Sequence, residues 1–275
     1  RLSALVTGNT YRNPALLALA PFTGVFGLSF VVVLGGAALA ELGLARRRGV
    51  ALPRRALAAL AAVAALHVAG AVDVARDDGA AGPRLRVAVA QGNIDQGVKW
   101  SPEWAERTLA IYEDLTRRAA ADGAAVVLWP ETAVPGSPDA LPELADRLAG
   151  LARETRVALV VGAVGFGFED DRRRFWDSAF VWDPEGGFVD RYDKTHLVPF
   201  GEYVPMRDLL GRFVSAIARG AADTDVSPGP APRALAVPLG EGAGRVTAGV
   251  PICYELLFPD LMRRFAADGA EALFA

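Results

Sequence analysis

Hydrophobic and polar positions divide this chain into two regimes. From Ala15 to Leu44 nearly every residue is apolar, and the first charge met is Glu41. A second apolar run extends from Ala56 to Val72, interrupted only by His67. Spanning a bilayer takes about 20 apolar residues in helix, with a range of about 17–25. The first run is long enough with length to spare. The second is Ala-rich, and it fits either a span or a buried soluble helix. We place spans at about residues 15–44 and 52–72, within a partial transmembrane domain covering 1–74. Between the runs lie Arg46, Arg47, Arg48, Arg54 and Arg55, which mark the cytoplasmic side by the positive-inside rule. Everything after Asp73 is then expected on the opposite face. His67 reads as a polar residue packed against a neighbouring helix in preference to a ligand.

A charged, Gly- and Ala-containing linker follows at 75–84, and the pattern changes character after it. Leu85, Val87 and Val89 alternate with Arg86, Ala88 and Ala90, as a strand requires. Ser101 offers a helix N-cap, and Gly123 stops that helix. The apolar run Ala124 to Trp129 predicts a buried strand broken by Pro130. Leu141 to Arg156 predicts a helix and Val157 to Val164 a strand. Ser178 to Trp182 and Phe188 to Tyr192 flank Asp183-Pro184-Glu185-Gly186-Gly187, a hairpin signature. Later strands are expected at Ala234 to Val237, Arg245 to Pro251 and from Ala270 on, with a helix over Pro259 to Ala267. Strands interleaved with helices predict a layered α/β domain over 85–275. No period of 20–50 residues recurs, which excludes a repeat architecture.

Composition sharpens this picture in three places. Apolar residues make up 52% and the mean hydropathy is +0.25, high for a purely soluble enzyme. The net charge of −3 implies no nucleic-acid partner. A single cysteine, Cys253, excludes an internal disulfide and a cysteine-rich metal site. With His67 placed in an apolar run, no metal or other cofactor is expected. The first residue is Arg1 and no signal peptide opens the chain, so we expect a piece of a longer protein.

Three charged or nucleophilic residues stand just after strand-like runs. Cys253 has a bland reading as an inert buried thiol. A free thiol is only a few per cent ionised at neutral pH, and a lysine ammonium within about 4–6 Å favours the thiolate by roughly 1–3 units. Lys194 is the candidate for that role and for steadying an oxyanion together with the backbone N–H of Tyr254. Its bland reading is a surface pair with Asp193 or Asp190. Glu131 is the candidate general base, pinned by Trp129-Pro130, or else a solvated glutamate at a strand end. Carboxylate, ammonium and thiol are the parts needed for acyl transfer through a thioester.

The segments Trp129-Pro130-Glu131-Thr132, Lys194 to Pro205 (Lys-Thr-His-Leu-Val-Pro-Phe-Gly-Glu-Tyr-Val-Pro) and Cys253-Tyr254-Glu255, in this order, resemble the nitrilase superfamily. With Gln91-Gly92-Asn93, Trp100 and the apolar stretch Ala20 to Phe30, they resemble its membrane branch, the apolipoprotein N-acyltransferases. The resemblance implies a nitrilase-like α-β-β-α sandwich preceded by two transmembrane helices. It implies Glu131, Lys194 and Cys253 as the catalytic triad, Glu202 and Glu255 as supporting acids, and Trp100 and Tyr254 as pocket residues. Glu202 and Glu255 fit hydrogen bonding to loop backbone equally well. His196 matches the motif as an orienting or packing residue.

The implied reaction moves a phospholipid acyl chain through a Cys thioester to the N-terminal amine of a diacylglyceryl-modified apolipoprotein. It takes place on the extracytoplasmic side of a bacterial inner membrane. The alternatives are a membrane-tethered nitrilase-type amidase or hydrolase and a catalytically silent interaction module. Met206 to Arg219 carries apolar residues at helical spacing, as a core-facing helix or, as the resemblance implies, a membrane-facing flap, with Ser227 to Pro232 as its hinge or tether. The family continues beyond the cysteine with a further strand, a Ser-Asn-Asp segment and a final membrane helix. It also has more membrane helices before the point matching Arg1.

Overall fold

The structure, a computed structural model, describes residues 13–76, 84–95, 97, 99, 101–169, 171–203 and 226–275. The segment 206–219 and Trp100 lie outside the described residues, as does most of the linker. The chain forms two compact units, Arg1–Pro83 and Arg84–Ala275.

In the first unit a short helix α1 (Pro14–Leu17) precedes α2 (Ala20–Arg47) and α3 (Arg54–Arg76). The first apolar run is therefore broken and does not form one helix. Asn13 Oδ1 caps α1 by accepting the Leu16 N–H at 3.2 Å, and Gly24 (φ 60°, ψ −168°) kinks α2, a conformation that glycine adopts without steric cost. The 28 residues of α2 and 23 of α3 are long and apolar enough to cross a membrane. The alternative of a buried soluble helix for α3 does not fit its surface: Ala56 and Gly70 are its buried residues, and Val68 is 64% exposed. Gly70 lets α1 approach, since a Cβ there would lie 1.8 Å from the Ala15 carbonyl oxygen. His67 packs as expected. Its Nδ1 donates to the Val63 carbonyl at 2.9 Å, and its Nε2 accepts from Asn13 Nδ2 at 3.0 Å. Glu41 is paired with Arg55.

In the second unit a five-stranded sheet has the order β1 (Val87–Val89), β2 (Val126–Trp129), β3 (Ala158–Glu169), β4 (Arg172–Trp182), β5 (Phe188–Asp193). Its first three strands are parallel and its last three antiparallel. Helix α4 (Pro102–Ala121) joins β1 to β2, and α5 (Pro142–Thr155) joins β2 to β3. A three-stranded sheet holds β6 (Leu235–Pro238), β7 (Arg245–Gly249) and β8 (Ala272–Leu273), with β7 and β8 parallel across α6 (Pro259–Ala267).

The pleat assigns each strand residue to a layer. Val127, Trp129, Leu159, Val161, Phe180 and Trp182 pack with Leu109, Leu144 and Leu148 of α4 and α5. Their alternates Val126, Val160, Ala179, Val181 and Tyr192 pack with Leu235, Val237 and Ala248 of the second sheet. On the far face of that sheet a Cβ at Gly249 would lie 2.7 Å from the Phe265 ring of α6. The layers are thus α-β-β-α. Phe265 is fully buried, a contribution of about 1.5–3 kcal/mol.

Two local expectations are corrected. β4 begins at Arg172, not Ser178, so β3 and β4 form a long hairpin in register from Leu159↔Trp182 to Glu169↔Arg172. Exposed Arg172 and Arg173 hid the strand, because both faces are wet at that end. Ser101 sits at the N-cap of α4 without a side-chain cap bond, its hydroxyl turning to the Glu103 carboxylate.

Gly162 of β3 links this frame to the chemistry. A Cβ there would stand 2.2 Å from the Pro130 carbonyl oxygen and 2.8 Å from the Glu131 Cα. Backbone offers no rotamer escape, so Gly162→Ala is expected to push the Glu131 turn outward. Overpacking of this kind costs about 1–3 kcal/mol. Thermal melts should show that loss, and labelling of the Cys253 thiol should show an altered pH profile with it.

Candidate active site

Glu131 leaves the end of β2 on a tightly held turn. Trp129 is buried, stacks on Tyr112 with ring centroids 5.0 Å apart, and donates its indole N–H to Thr116 Oγ1 at 2.9 Å. Thr132 takes a left-handed conformation (φ 47°). The Ala133 N–H bonds the Gly162 carbonyl at 2.8 Å. Lys99 Nζ closes the turn from outside, donating to the Glu131 carbonyl at 3.1 Å and to Thr132 Oγ1 at 2.8 Å.

Lys194 follows β5 and is wholly buried. Its surface-pair reading fails: Asp193 is engaged with Ser178 and Arg191, and Asp190 with Arg233. Lys194 Nζ instead meets Glu131 Oε1 at 3.2 Å, Asp177 Oδ2 at 3.5 Å and the Glu202 carboxylate. Burial by itself lowers the lysine pKa, but the bond to Glu202 and the charges of Glu131, Glu202 and Asp177 outweigh it and raise the net value. The ammonium is therefore permanent. The acid cluster Glu131, Asp177 and Glu202 has ligand spacing for a metal ion, but Lys194 Nζ is the cation it surrounds.

Cys253 lies three residues beyond Val250 at the end of the β7 segment and opens a 3-10 turn (Cys253–Leu257). It is exposed and left-handed, with φ 51°. A non-glycine residue in that region costs of order 1–3 kcal/mol, and such strain clusters at functional sites. Glu131 and the Tyr254 N–H are among the groups that act on the Cys253 sulfur. Lys194 does favour the thiolate, as expected, but it does not set the net direction. Burial first, then the charge and hydrogen bond of Glu131, push the thiol above its ordinary value, and Lys194 with the Tyr254 N–H does not offset them. The thiol is thus biased towards its protonated form, with the Glu131 carboxylate as a neighbour.

The two supporting acids differ. Glu202 touches Lys194 and accepts the Val198 N–H at 3.0 Å, joining the centre to its loop. Glu255 does not touch the ammonium. Its Oε1 accepts from the Thr195 N–H (2.8 Å), Thr195 Oγ1 (2.9 Å), the His196 N–H (3.1 Å) and the Tyr192 hydroxyl (2.8 Å). Its Oε2 accepts the Ile252 N–H at 2.9 Å. Fully buried, Glu255 bolts the turn bearing Cys253 to the strand end bearing Lys194. The Tyr254 ring packs edge-on against Phe258, and His196 packs on Phe258 with centroids 4.7 Å apart. Residues 227 and 229, read as part of a hinge, are bonded in place through Phe175 and Lys194.

A cavity of about 300 Å³ reaches the thiol between the two sheets, with Glu131 and Cys253 at its edge and Val89, Leu128, Val160 and Phe274 among its walls. Sequence reasoning missed Asp177 and Lys99. Asp177 sits inside a strand of which only the second half was legible, and Lys99 precedes Trp100 in an irregular stretch. Neither stands where a motif places chemistry.

Residues 86–275 match the carbon-nitrogen hydrolase family. The apolipoprotein N-acyltransferase of Geobacter metallireducens is 39% identical over 267 residues, covering 96% of this chain and 49% of its own. That of Azotobacter vinelandii is 36% identical over 279 residues, covering 96% and 48%. The chain spans about half the length of the curated relatives it matches. A solved structure of an amidase from Nesterenkonia sp. AN1 superimposes with a TM-score of 0.48 at 24% identity, covering 70% of this chain and 65% of that one.

Two outcomes follow from this geometry. Glu131→Gln removes a charge that holds the thiol up, so the midpoint of Cys253 alkylation against pH should fall even as any base-dependent reaction is lost. Alkylation rates followed by intact mass between pH 6 and 10, roughly bracketing the free-thiol value, read this directly. Glu255→Ala leaves three backbone N–H groups without their acceptor, at about 1–3 kcal/mol for each buried orphan. Chemical denaturation should show a loss of at least about 3 kcal/mol.

Proposed function

This chain belongs to the carbon-nitrogen hydrolase family, and on that premise we propose that it supplies the catalytic unit of an apolipoprotein N-acyltransferase. The observation that carries the reading is the meeting of three distant segments: Glu131 and Cys253 at the edge of one cavity, with the buried Lys194 ammonium 3.2 Å from the same carboxylate. The acyl donor is a phospholipid and the acceptor is the free N-terminal amine of a diacylglyceryl-cysteine lipoprotein. Both are lipid-anchored.

In the first step Glu131 takes the thiol proton as sulfur attacks the ester carbonyl. The oxyanion that forms is met by Lys194 and the Tyr254 N–H. The intermediate collapses, the C–O bond breaks, and Glu131 returns its proton to the departing lysophospholipid oxygen. In the second step the acceptor amine attacks the thioester, Glu131 takes a proton from the nitrogen, and the C–S bond breaks as the thiol is restored. An amide replaces a thioester, which gives the second step its direction. The apolar cavity beside Cys253 suits an aliphatic chain better than a polar substrate.

The arginines between α2 and α3 support a cytoplasmic position for that loop. If both helices cross, the catalytic unit faces the other side of a bacterial inner membrane, where lipoprotein amines are presented. Tethering at the bilayer confines donor, acceptor and thiol to one thin layer.

Incubating the full-length membrane protein with phospholipid should add one acyl mass to the wild type and none to Cys253→Ala. Adding a diacylglyceryl lipopeptide should discharge the adduct as N-acylated peptide. Release of free fatty acid with the amine unmodified would make the protein a hydrolase, and no adduct on either form would end the proposal.

A further inference from the structure

The centre holds one carboxylate more than a Glu-Lys-Cys reaction requires. Asp177 lies on β4 with its side chain only 13% exposed and its Oδ2 3.5 Å from Lys194 Nζ. Its main-chain carbonyl accepts the Lys194 N–H at 2.8 Å, so the same residue grips Lys194 at both backbone and head group. Next to it, Ser178 Oγ donates to Asp193 Oδ1 at 2.6 Å, which locks β4 to β5 at the residue before the lysine.

We propose that Asp177 is a positioning residue for this centre: as a counter-ion that never moves a proton, it holds the Lys194 ammonium in place and offsets its pull on the Cys253 thiol. The assignment rests on the acyl-transfer reading for its role in turnover, but its effect on the thiol does not depend on any substrate.

The physical need arises from Glu131. When that carboxylate takes the thiol proton it becomes neutral, and Lys194 loses one of its counter-charges inside a buried site. An ammonium left short of partners there is costly and free to shift. Glu202 and Asp177 still flank it and keep it aimed at the forming oxyanion. The same arrangement governs the resting thiol. A lone ammonium beside an exposed cysteine would ionise it and open it to oxidation and alkylation. With Asp177 beside the ammonium, the pair presents little net charge to the sulfur, and Glu131 alone decides when the proton leaves. The ionisable groups facing Asp177 are Lys194, Glu131 and Glu202, with Lys99 also within electrostatic reach. Burial raises the Asp177 carboxyl, the Lys194 ammonium offsets part of that, and the charges of Glu131 and Glu202 add to the rise, so the net value stays above the ordinary carboxylate range.

The test uses Asp177→Asn, which keeps shape and removes charge, in the full-length protein, with Asp177→Ser as the second variant should the first not fold. Iodoacetamide is the probe, and peptide mass spectrometry of the segment that carries Cys253 reports that site. The alkylation midpoint is expected to fall by about one pH unit, as for removal of a neighbouring like charge. In the phospholipid-to-lipopeptide assay kcat should fall about ten-fold, or about 1.4 kcal/mol of barrier, with KM unchanged. A purely structural aspartate would lower stability without making the thiol more acidic. A midpoint that stays or rises overturns the proposal, and so does a lowered midpoint with kcat intact. Should the midpoint fall while neither wild type nor variant ever forms an acyl adduct, acyl transfer is the reading that fails, and the electrostatic assignment of Asp177 stands.

Discussion

A buried ammonium is the constraint around which this molecule is organised. Lys194 has no solvent exposure, and an unpaired cation in such a place costs several kcal/mol. Glu131, Asp177 and Glu202 must therefore arrive from a β2 turn, the middle of β4 and the loop after β5. Each requirement propagates outward. Gly162 must lack a side chain so that the Glu131 turn can settle on β3. Trp129 must be fastened to α4, and the β4–β5 register must put Asp177 within reach of Lys194.

The consequence for chemistry is a nucleophile that waits. Three carboxylates surround the single Lys194 ammonium, and its pull on the Cys253 proton is outweighed. Glu131 raises the thiol and is also placed to remove its proton. In the proposed reaction, activation is tied to the arrival of an electrophile, since charge builds on sulfur only as it is passed to a carbonyl oxygen met by Lys194 and the Tyr254 N–H. Strain at Cys253 and Thr132 is held by neighbouring bonds: Lys99 at one turn, Glu255 at the other. Glu255 is an acid employed as a bolt, and Glu202 one employed as a counter-ion, although the sequence presents them as equivalents.

What could be read before the fold was seen depended on how local each signal was. Glu131, Lys194 and Cys253 were legible as candidates because each stands at the end of an apolar run, with Trp129-Pro130, the Pro199-Phe200-Gly201 loop and Pro251 as flanks. The first half of β4 was not, because Arg172 to Arg174 carry no period when neither face is covered. Asp177 fell inside that blind stretch. Lys99 was passed over because a lysine in an irregular segment looks solvated until the Glu131 carbonyl is found beside it. The first apolar run looked continuous, since hydropathy does not register the kink at Gly24.

The amino-acid order alone determined which residues could do chemistry, that strands alternate with helices, and that two apolar segments precede them. Those are properties of neighbours within a few positions, where period and composition carry the information. Only the tertiary structure decided the protonation of the thiol, the separate employment of Glu202 and Glu255, and the place of Asp177 against Lys194. Electrostatic character depends on which charges lie within a few ångströms, and here those charges come from segments dozens of residues apart in the chain.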